Sequence, residues 1–257
     1  MRDLAASLAG AKAEGRRLLV PYLTAGLEDG WTSWIDLCAQ AGADALEVGI
    51  PFSDPMMDGP VIQEASQRAL DRGATPGSVL SDLTNYDAPI PLAVMTYANL
   101  AIRPGLGRFA EELEAAGVSA AILPDLALEE VGAWAAVADA HGIATVMLVA
   151  PTTPTGRVEQ ITARARGFVY AVGRLGVTGE RPDLELDFTE LVGRIRETTD
   201  LPVLVGVGIA GPREAAAAAE VADGVIVGSA LMRRILEGDS PASVESFLGG
   251  IREALDR

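Results

Sequence analysis

Asp44-Ala45-Leu46-Glu47-Val48-Gly49-Ile50 runs directly into Pro51-Phe52-Ser53-Asp54-Pro55-Met56-Met57-Asp58-Gly59-Pro60. In an extended chain successive side chains point to opposite faces, so Leu46, Val48 and Ile50 share one face and Ala45, Glu47 and Gly49 the other. A strand with bulky residues on one face and small ones on the opposite face suits a closed parallel barrel. The bulky face meets surrounding helices and the small face looks into a crowded interior. Glu47 then points inward, near the strand's C-terminal end. Water is scarce there, so the carboxyl pKa is raised toward neutrality and the group can exchange protons with a substrate. The competing reading is a structural glutamate paired with an arginine, and few basic residues lie on the predicted strands.

Outward from this segment the same pattern repeats. Short β-branched or apolar runs cover 18–24, 44–50, 91–97, 120–124, 144–149, 167–172, 202–207 and 224–227. They alternate with helix-like stretches such as 31–40, 109–116, 129–140, 186–198 and 214–221, the sequence signature of a parallel α/β fold. Eight runs in 257 residues favour a single (β/α)8 TIM barrel over an open doubly wound sheet. Residues 1–257 read as one catalytic domain, and helical stretches before the first strand and after the eighth read as extra N-terminal and C-terminal helices decorating the barrel.

Composition removes several classes of function. With 36 acidic against 20 basic residues the formal net charge is -16, which argues against a nonspecific grip on nucleic acid or an anionic membrane. No apolar run approaches the roughly 18 residues of a membrane span, and a cytoplasmic protein is expected. The one lysine, Lys12, precedes the first strand, so a Schiff-base mechanism needing a strand lysine is disfavoured. The one histidine, His141, stands before Gly142 at a predicted helix end, where a surface or capping role is expected, and a histidine-rich zinc site is ruled out. Cys38, alone, reads as a buried structural thiol. Carboxylates and tyrosines remain for proton transfer, and no metal is expected.

Loops at the C-terminal ends of barrel strands build active sites. The loop after the second run holds two candidates, Asp54 and Asp58. Either serves as a second acid/base group or shapes the loop, and Asp58 before Gly59-Pro60 also reads as a helix N-cap. The loop after the sixth run, Gly173-Arg174-Leu175-Gly176-Val177-Thr178-Gly179-Glu180-Arg181-Pro182, has glycines enough to hinge and reads as a lid. Two turns, Gly206-Val207-Gly208-Ile209-Ala210-Gly211 and Gly228-Ser229-Ala230, each lead from a strand into a helix. Glycines let the backbone approach a ligand and helix N-terminal amides supply donors, so this pair reads as a phosphate site; simple tight turns are the alternative.

These residues bring the chain close to a known family. It resembles the tryptophan synthase alpha chains along nearly its whole length, most specifically at Leu46-Glu47-Val48-Gly49-Ile50-Pro51-Phe52-Ser53-Asp54-Pro55 and on through Asp58-Gly59-Pro60 and Ile62-Gln63. Supporting matches are Pro21-Tyr22-Leu23-Thr24-Ala25-Gly26, Met95-Thr96-Tyr97-Ala98-Asn99, Pro124-Asp125-Leu126, Gly176-Val177-Thr178-Gly179, Gly206-Val207-Gly208-Ile209 and Val227-Gly228-Ser229-Ala230.

The resemblance implies a retro-aldol cleavage of indole-3-glycerol phosphate to indole and glyceraldehyde 3-phosphate, with no cofactor. It assigns catalysis to Glu47 and Asp58, with Thr178 in the lid holding the catalytic groups. It puts the phosphate on Gly179, Gly208, Gly228 and Ser229, and the indole ring among Tyr22, Met95, Tyr97, Ile122, Leu148 and Tyr170. The implied partner is a tryptophan synthase beta chain in an alpha2-beta2 assembly. A stand-alone lyase releasing free indole to specialised metabolism is the alternative, and a barrel that has lost turnover and an unrelated sugar-phosphate isomerase or epimerase stand further off. Departures from the family pattern at Gly26-Leu27-Glu28, Met56-Met57, Ala127 and Gly173 leave the acid/base residues intact and bear more on partnering than on chemistry.

Overall fold

The computed structural model describes residues 2–173, 188–206 and 208–257. Among them eight parallel strands close into a barrel: β1 (Leu18–Thr24), β2 (Leu46–Gly49), β3 (Leu92–Met95), β4 (Ala120–Ile122), β5 (Ala144–Val149), β6 (Val169–Ala171), β7 (Val203–Val205) and β8 (Gly224–Val227). Each pairs with the next in sequence, and β8 returns to β1 through Leu18↔Gly224 to Pro21↔Val227. The expected (β/α)8 barrel is the observed fold. Several strands are shorter than the apolar runs that announced them because a ladder lasts only as long as both neighbours stay in register. Asp44, read as part of β2, instead accepts the Leu19 amide on its side chain at 2.8 Å and pairs with Arg16 and Arg252 below the barrel.

The two-faced reading of β2 holds around the ring. Leu46, Val48 and Ile50 join the apolar layer between strands and helices, whereas Ala45, Ala93, Ala120, Ile122, Ala144, Val146, Tyr170 and Leu204 fill the interior. The N-terminal helix Leu4–Ala13 is more than the decoration it was expected to be. Leu4 and Leu8, one helical turn apart, are fully buried within the interior cluster and plug its lower end. The C-terminal helix Pro241–Leu255 buries Val244, Leu248, Ile251 and Leu255 along one stripe, in line with the expected outer helix.

The predicted outer helices appear with shifted ends, as Ser33–Gln40, Leu106–Ala115, Val131–Ala140, Thr189–Arg196 and Pro212–Ala219; the second and the last begin earlier than expected and the others are shorter. Helices Pro76–Thr84 and Thr155–Arg164 were not singled out from sequence. The first begins with a capping box between Thr75 and Ser78 and has Pro76 in its first turn. Among the described residues no helix is long and apolar enough to cross a membrane.

Candidate active site

Glu47 sits on β2 with its residue 1% exposed, facing inward as alternation required. Among the described residues neither carboxyl oxygen has a hydrogen-bond partner, so no described arginine pairs with Glu47. Burial, and secondarily the Asp58 carboxylate nearby, push the Glu47 pKa from 4.5 to about 8. At neutral pH it is chiefly a neutral acid, able first to give a proton and then to take one back.

Asp58 reaches the same mouth from the loop after β2. Its expected alternative as an N-cap is not what the chain uses: Gly59, in extended backbone, caps helix Pro60–Asp71 without a side-chain bond, and Pro60 occupies the first turn. The Asp58 side chain is therefore free to turn inward. Tyr97 Oη, two residues past the end of β3, donates to Asp58 Oδ2 at 2.9 Å while accepting the Met57 amide at 2.9 Å. Each bond polarises the other, and Gln63 Nε2 steadies the loop by donating to the Asp58 carbonyl at 2.8 Å. Burial raises the Asp58 pKa, and the Tyr97 hydrogen bond pulls against that rise. Phe52 packs on the Tyr97 ring with centroids 4.8 Å apart. Asp54, the other loop carboxylate, takes a bond from Ser53 Oγ at 2.6 Å and faces solvent, a loop-shaping role.

Two tyrosines floor the site in the same way. Tyr22 pairs in register with Glu47, and Tyr170 with Leu204. Each ring leans toward the mouth over the residue two further along the neighbouring strand or its extension, and that residue is glycine both times: Gly49 beneath Tyr22, Gly206 beneath Tyr170. A Cβ on Gly49 would fall 2.7 Å from Tyr22 Cε2, and one on Gly206 would fall 2.5 Å from Tyr170 Cζ. Sequence reading treated Gly206 as part of a phosphate turn and Gly49 as a merely small residue. No signal in the sequence marks either pair, because which glycine lies beside each tyrosine is set by the register of the closed barrel. Burial raises the pKa of both phenols, so they stay protonated, and Thr24 Oγ1 stands 3.4 Å from Tyr22 Oη.

The remaining proposed ring contacts converge on this floor: Ile122 and Tyr170 belong to the interior cluster, with Met95 and Leu148 packed against it. Of the phosphate candidates, Gly208 has φ +79°, a conformation that glycine alone adopts freely, and Gly228 caps helix Ser229–Leu236, which begins at Ser229. Thr178 and Gly179 lie outside the described residues.

The residues set aside on sequence grounds stay away from the mouth. Lys12 Nζ bonds the Asp200 carbonyl at 2.9 Å and Asp223 at 3.3 Å, His141 ends helix Val131–Ala140 with Nδ1 2.7 Å from Glu114, and Cys38 is buried with its thiol pushed up to about 12.

A closed (β/α)8 barrel whose C-terminal mouth brings together a buried glutamate, without a partner among the described residues, and a tyrosine-held aspartate belongs to the (β/α)8 class, with a carboxyl pair suited to acid/base chemistry. Its particular family is equally plain: the chain belongs to the tryptophan synthase alpha chain family, whose sequence model matches residues 8–248. It is 45% identical over 244 residues to the tryptophan synthase alpha chain of Streptomyces avermitilis, an alignment covering 93% of this chain and 88% of that one. It is 44% identical to that of Laribacter hongkongensis, covering 97% of both. Among solved structures, tryptophan synthase from Mycobacterium tuberculosis superposes with a TM-score of 0.90 at 36% identity, covering 98% of this chain and 97% of that one. The Legionella pneumophila alpha subunit gives 0.86 at 36% identity, covering 100% and 99%. The enzyme is accordingly a carbon–carbon lyase of tryptophan biosynthesis acting on indole-3-glycerol phosphate, and the reading as a stand-alone lyase is the less favoured.

Proposed function

We propose that Glu47 and Asp58 divide the proton transfers of indole-3-glycerol phosphate cleavage between them. The observation that carries this is the contrast in their surroundings. Glu47 is buried, without a partner among the described residues and held protonated, while Asp58 is half-buried and fixed by Tyr97. Asp58 accepts a hydrogen bond from the indole N–H and stabilises the positive charge that gathers on nitrogen when C3 is protonated. Glu47 gives C3 that proton. As carboxylate it then removes the proton of the adjacent glycerol hydroxyl, whose oxygen becomes the aldehyde while the C3–carbon bond breaks and its electrons restore the ring. Glu47 ends as it began, so no cofactor is called for.

Tyr22, Met95, Tyr97, Ile122, Leu148 and Tyr170 frame the ring in this reading. Gly208, Gly228, Ser229 and Gly179 receive the phosphate through backbone amides, helped by the N-terminus of helix Ser229–Leu236. Thr178 belongs to the same proposal, as the lid residue that holds the catalytic groups.

The partner is a tryptophan synthase beta chain in an alpha2-beta2 assembly. Among the described residues Met56 and Ile102, 79% and 55% exposed, are the large apolar side chains most open to solvent; Met56 lies in the loop after β2 and Ile102 ends the short helix Ala98–Ile102 after β3. A cytoplasmic location suits the free, buried Cys38. The test is indole release from indole-3-glycerol phosphate by the chain alone, by Glu47→Gln and Asp58→Asn, and with a beta chain added. Each substitution is expected to cost at least about a hundredfold, and the beta chain to accelerate release. Full activity in either variant would remove that carboxyl from the mechanism, and fast release unaffected by the beta chain would restore the stand-alone lyase.

A further inference from the structure

β5 is paired along its two halves by different neighbours. β4 covers Ala144 to Val146 and its ladder stops at Ile122↔Val146, whereas β6 covers Met147 to Val149. The reason β4 stops is visible two residues on: Pro124 has no amide to continue a ladder. Beyond that point the β4 side of β5 is faced by the following loop rather than by a strand, and the barrel wall has a notch. A cavity of about 210 Å³ occupies it.

Its lining comes from both sides of the wall. Val146, Leu148 and Val172 belong to the inward-facing set, while Leu123, Met147 and Ile161 belong to the outer layer. An apolar cavity of about 150 Å³ already accepts a benzene ring, so this cleft, open on one side, has room for a methyl or halogen group. Its walls are tied down as well. Thr153 Oγ1 accepts the Ala150 amide at 3.0 Å, Arg194 donates to the carbonyls of Pro151 and Thr153, and Arg157 pairs with both carboxyl oxygens of Glu129.

The notch joins the site already described at two points. Leu148 is one of the residues proposed to frame the indole ring, and Met57, also in the lining, is the immediate neighbour of Asp58. We infer that this notch is a subsite for substituents on the benzo ring of the substrate, so that the enzyme processes ring-methylated or ring-halogenated indole compounds as well as the parent. The inference rests on the reading of Glu47 and Asp58 above: with the ring N–H held at Asp58, the benzo ring lies beside Met57 and Leu148 and a substituent extends through the gap in the wall. The chamber is chiefly apolar, and its one charged lining residue, Arg157, is already paired with Glu129, so it suits methyl and halogen groups better than ionised ones.

The test uses the reverse reaction, condensation of glyceraldehyde 3-phosphate with indole and with 4-, 5-, 6- and 7-methylindole, in the wild-type chain and in Ala150→Leu and Ala127→Phe. Both substitutions add bulk to the chamber lining, the second from an exposed loop position where folding is not at stake. At least one methylindole is expected to react within about tenfold of indole in the wild type. The substitutions are expected to lower its rate relative to indole by about 10-fold or more, the discrimination one methyl-sized group commands in an apolar pocket, with indole itself little changed. Rejection of all four methylindoles by more than about a hundredfold in the wild type, or an unchanged ratio in both variants, would overturn the inference. Equal loss with indole and methylindole would overturn it too, by showing that the notch is the seat of the ring itself. A wild-type chain that fails to condense indole would instead bring down the reading of the catalytic pair, and the subsite with it.

Discussion

Glu47→Gln should make the protein progressively more stable than the wild type as the pH rises. In the unfolded chain Glu47 ionises near 4.5, while in the folded barrel its pKa is about 8. Between those values the folded state keeps a proton that the unfolded state has lost. The wild type therefore has its full stability from this group below pH 4.5 and loses it as the pH climbs through 8. The linkage relation converts the two pKa values into a loss of about 3 kcal/mol between pH 5 and pH 8. The residue is 1% exposed and its oxygens have no described partner, so neither solvent screening nor a counter-charge dilutes the figure. Glutamine fills the same volume and does not titrate. Urea unfolding at pH 5, 6, 7 and 8, followed by tryptophan fluorescence through the buried Trp134, measures the difference in unfolding free energy between variant and wild type. That difference should grow by about 3 kcal/mol across the series. Since Asp58 contributes to the elevation, the growth should be smaller when both proteins carry Asp58→Asn. Parallel stability curves, differing by a constant from pH 5 to pH 8, would refute the argument that Glu47 is held neutral by burial.

Two more predictions concern the surroundings of the pair. Tyr97→Phe removes the bond to Asp58 Oδ2 and the acceptor of the Met57 amide; kcat/KM for indole release should fall about tenfold or more. Because the lost bond holds the Asp58 pKa down, the acidic limb of the kcat/KM profile should also move to higher pH, a shift that a purely structural role for Tyr97 would not produce. Gly49→Ala drives a methyl into the Tyr22 ring and should destabilise the fold by about 1–3 kcal/mol; in a Tyr22→Leu background the same substitution should cost much less, and an equal cost in both backgrounds would show that the ring is not what reserves the position for glycine.

Much of the site is legible along the chain because its decisive residues lie on strands. Glu47 could be assigned to the interior from the alternation of Leu46, Val48 and Ile50 alone. Asp58 could be placed near it because only a loop separates them, yet its N-cap alternative could be rejected only once Gly59 was seen to cap the helix. Tyr97 was read as a wall of the ring pocket, and its bond to Asp58, between residues 39 apart in sequence, was not foreseen. The N-terminal helix was read as peripheral because two leucines in an alanine-rich stretch give no sign of where they point.

The sequence by itself determined the number of strands, the inward direction of Glu47, and the exclusion of lysine and histidine from the chemistry. Those properties follow from covalent geometry and composition, which act over a few residues and need no knowledge of neighbours. Only the tertiary structure decided that Glu47 would have no partner among the described residues, that Tyr97 would hold Asp58, and that Gly49 and Gly206 would lie under tyrosine rings. Closure of the barrel likewise decided that Leu4 and Leu8 would seal its floor and that the early end of β4 would leave a notch in its wall. Each of these depends on which strand ends the closing barrel brings together, and that is set by register and packing summed over the whole ring.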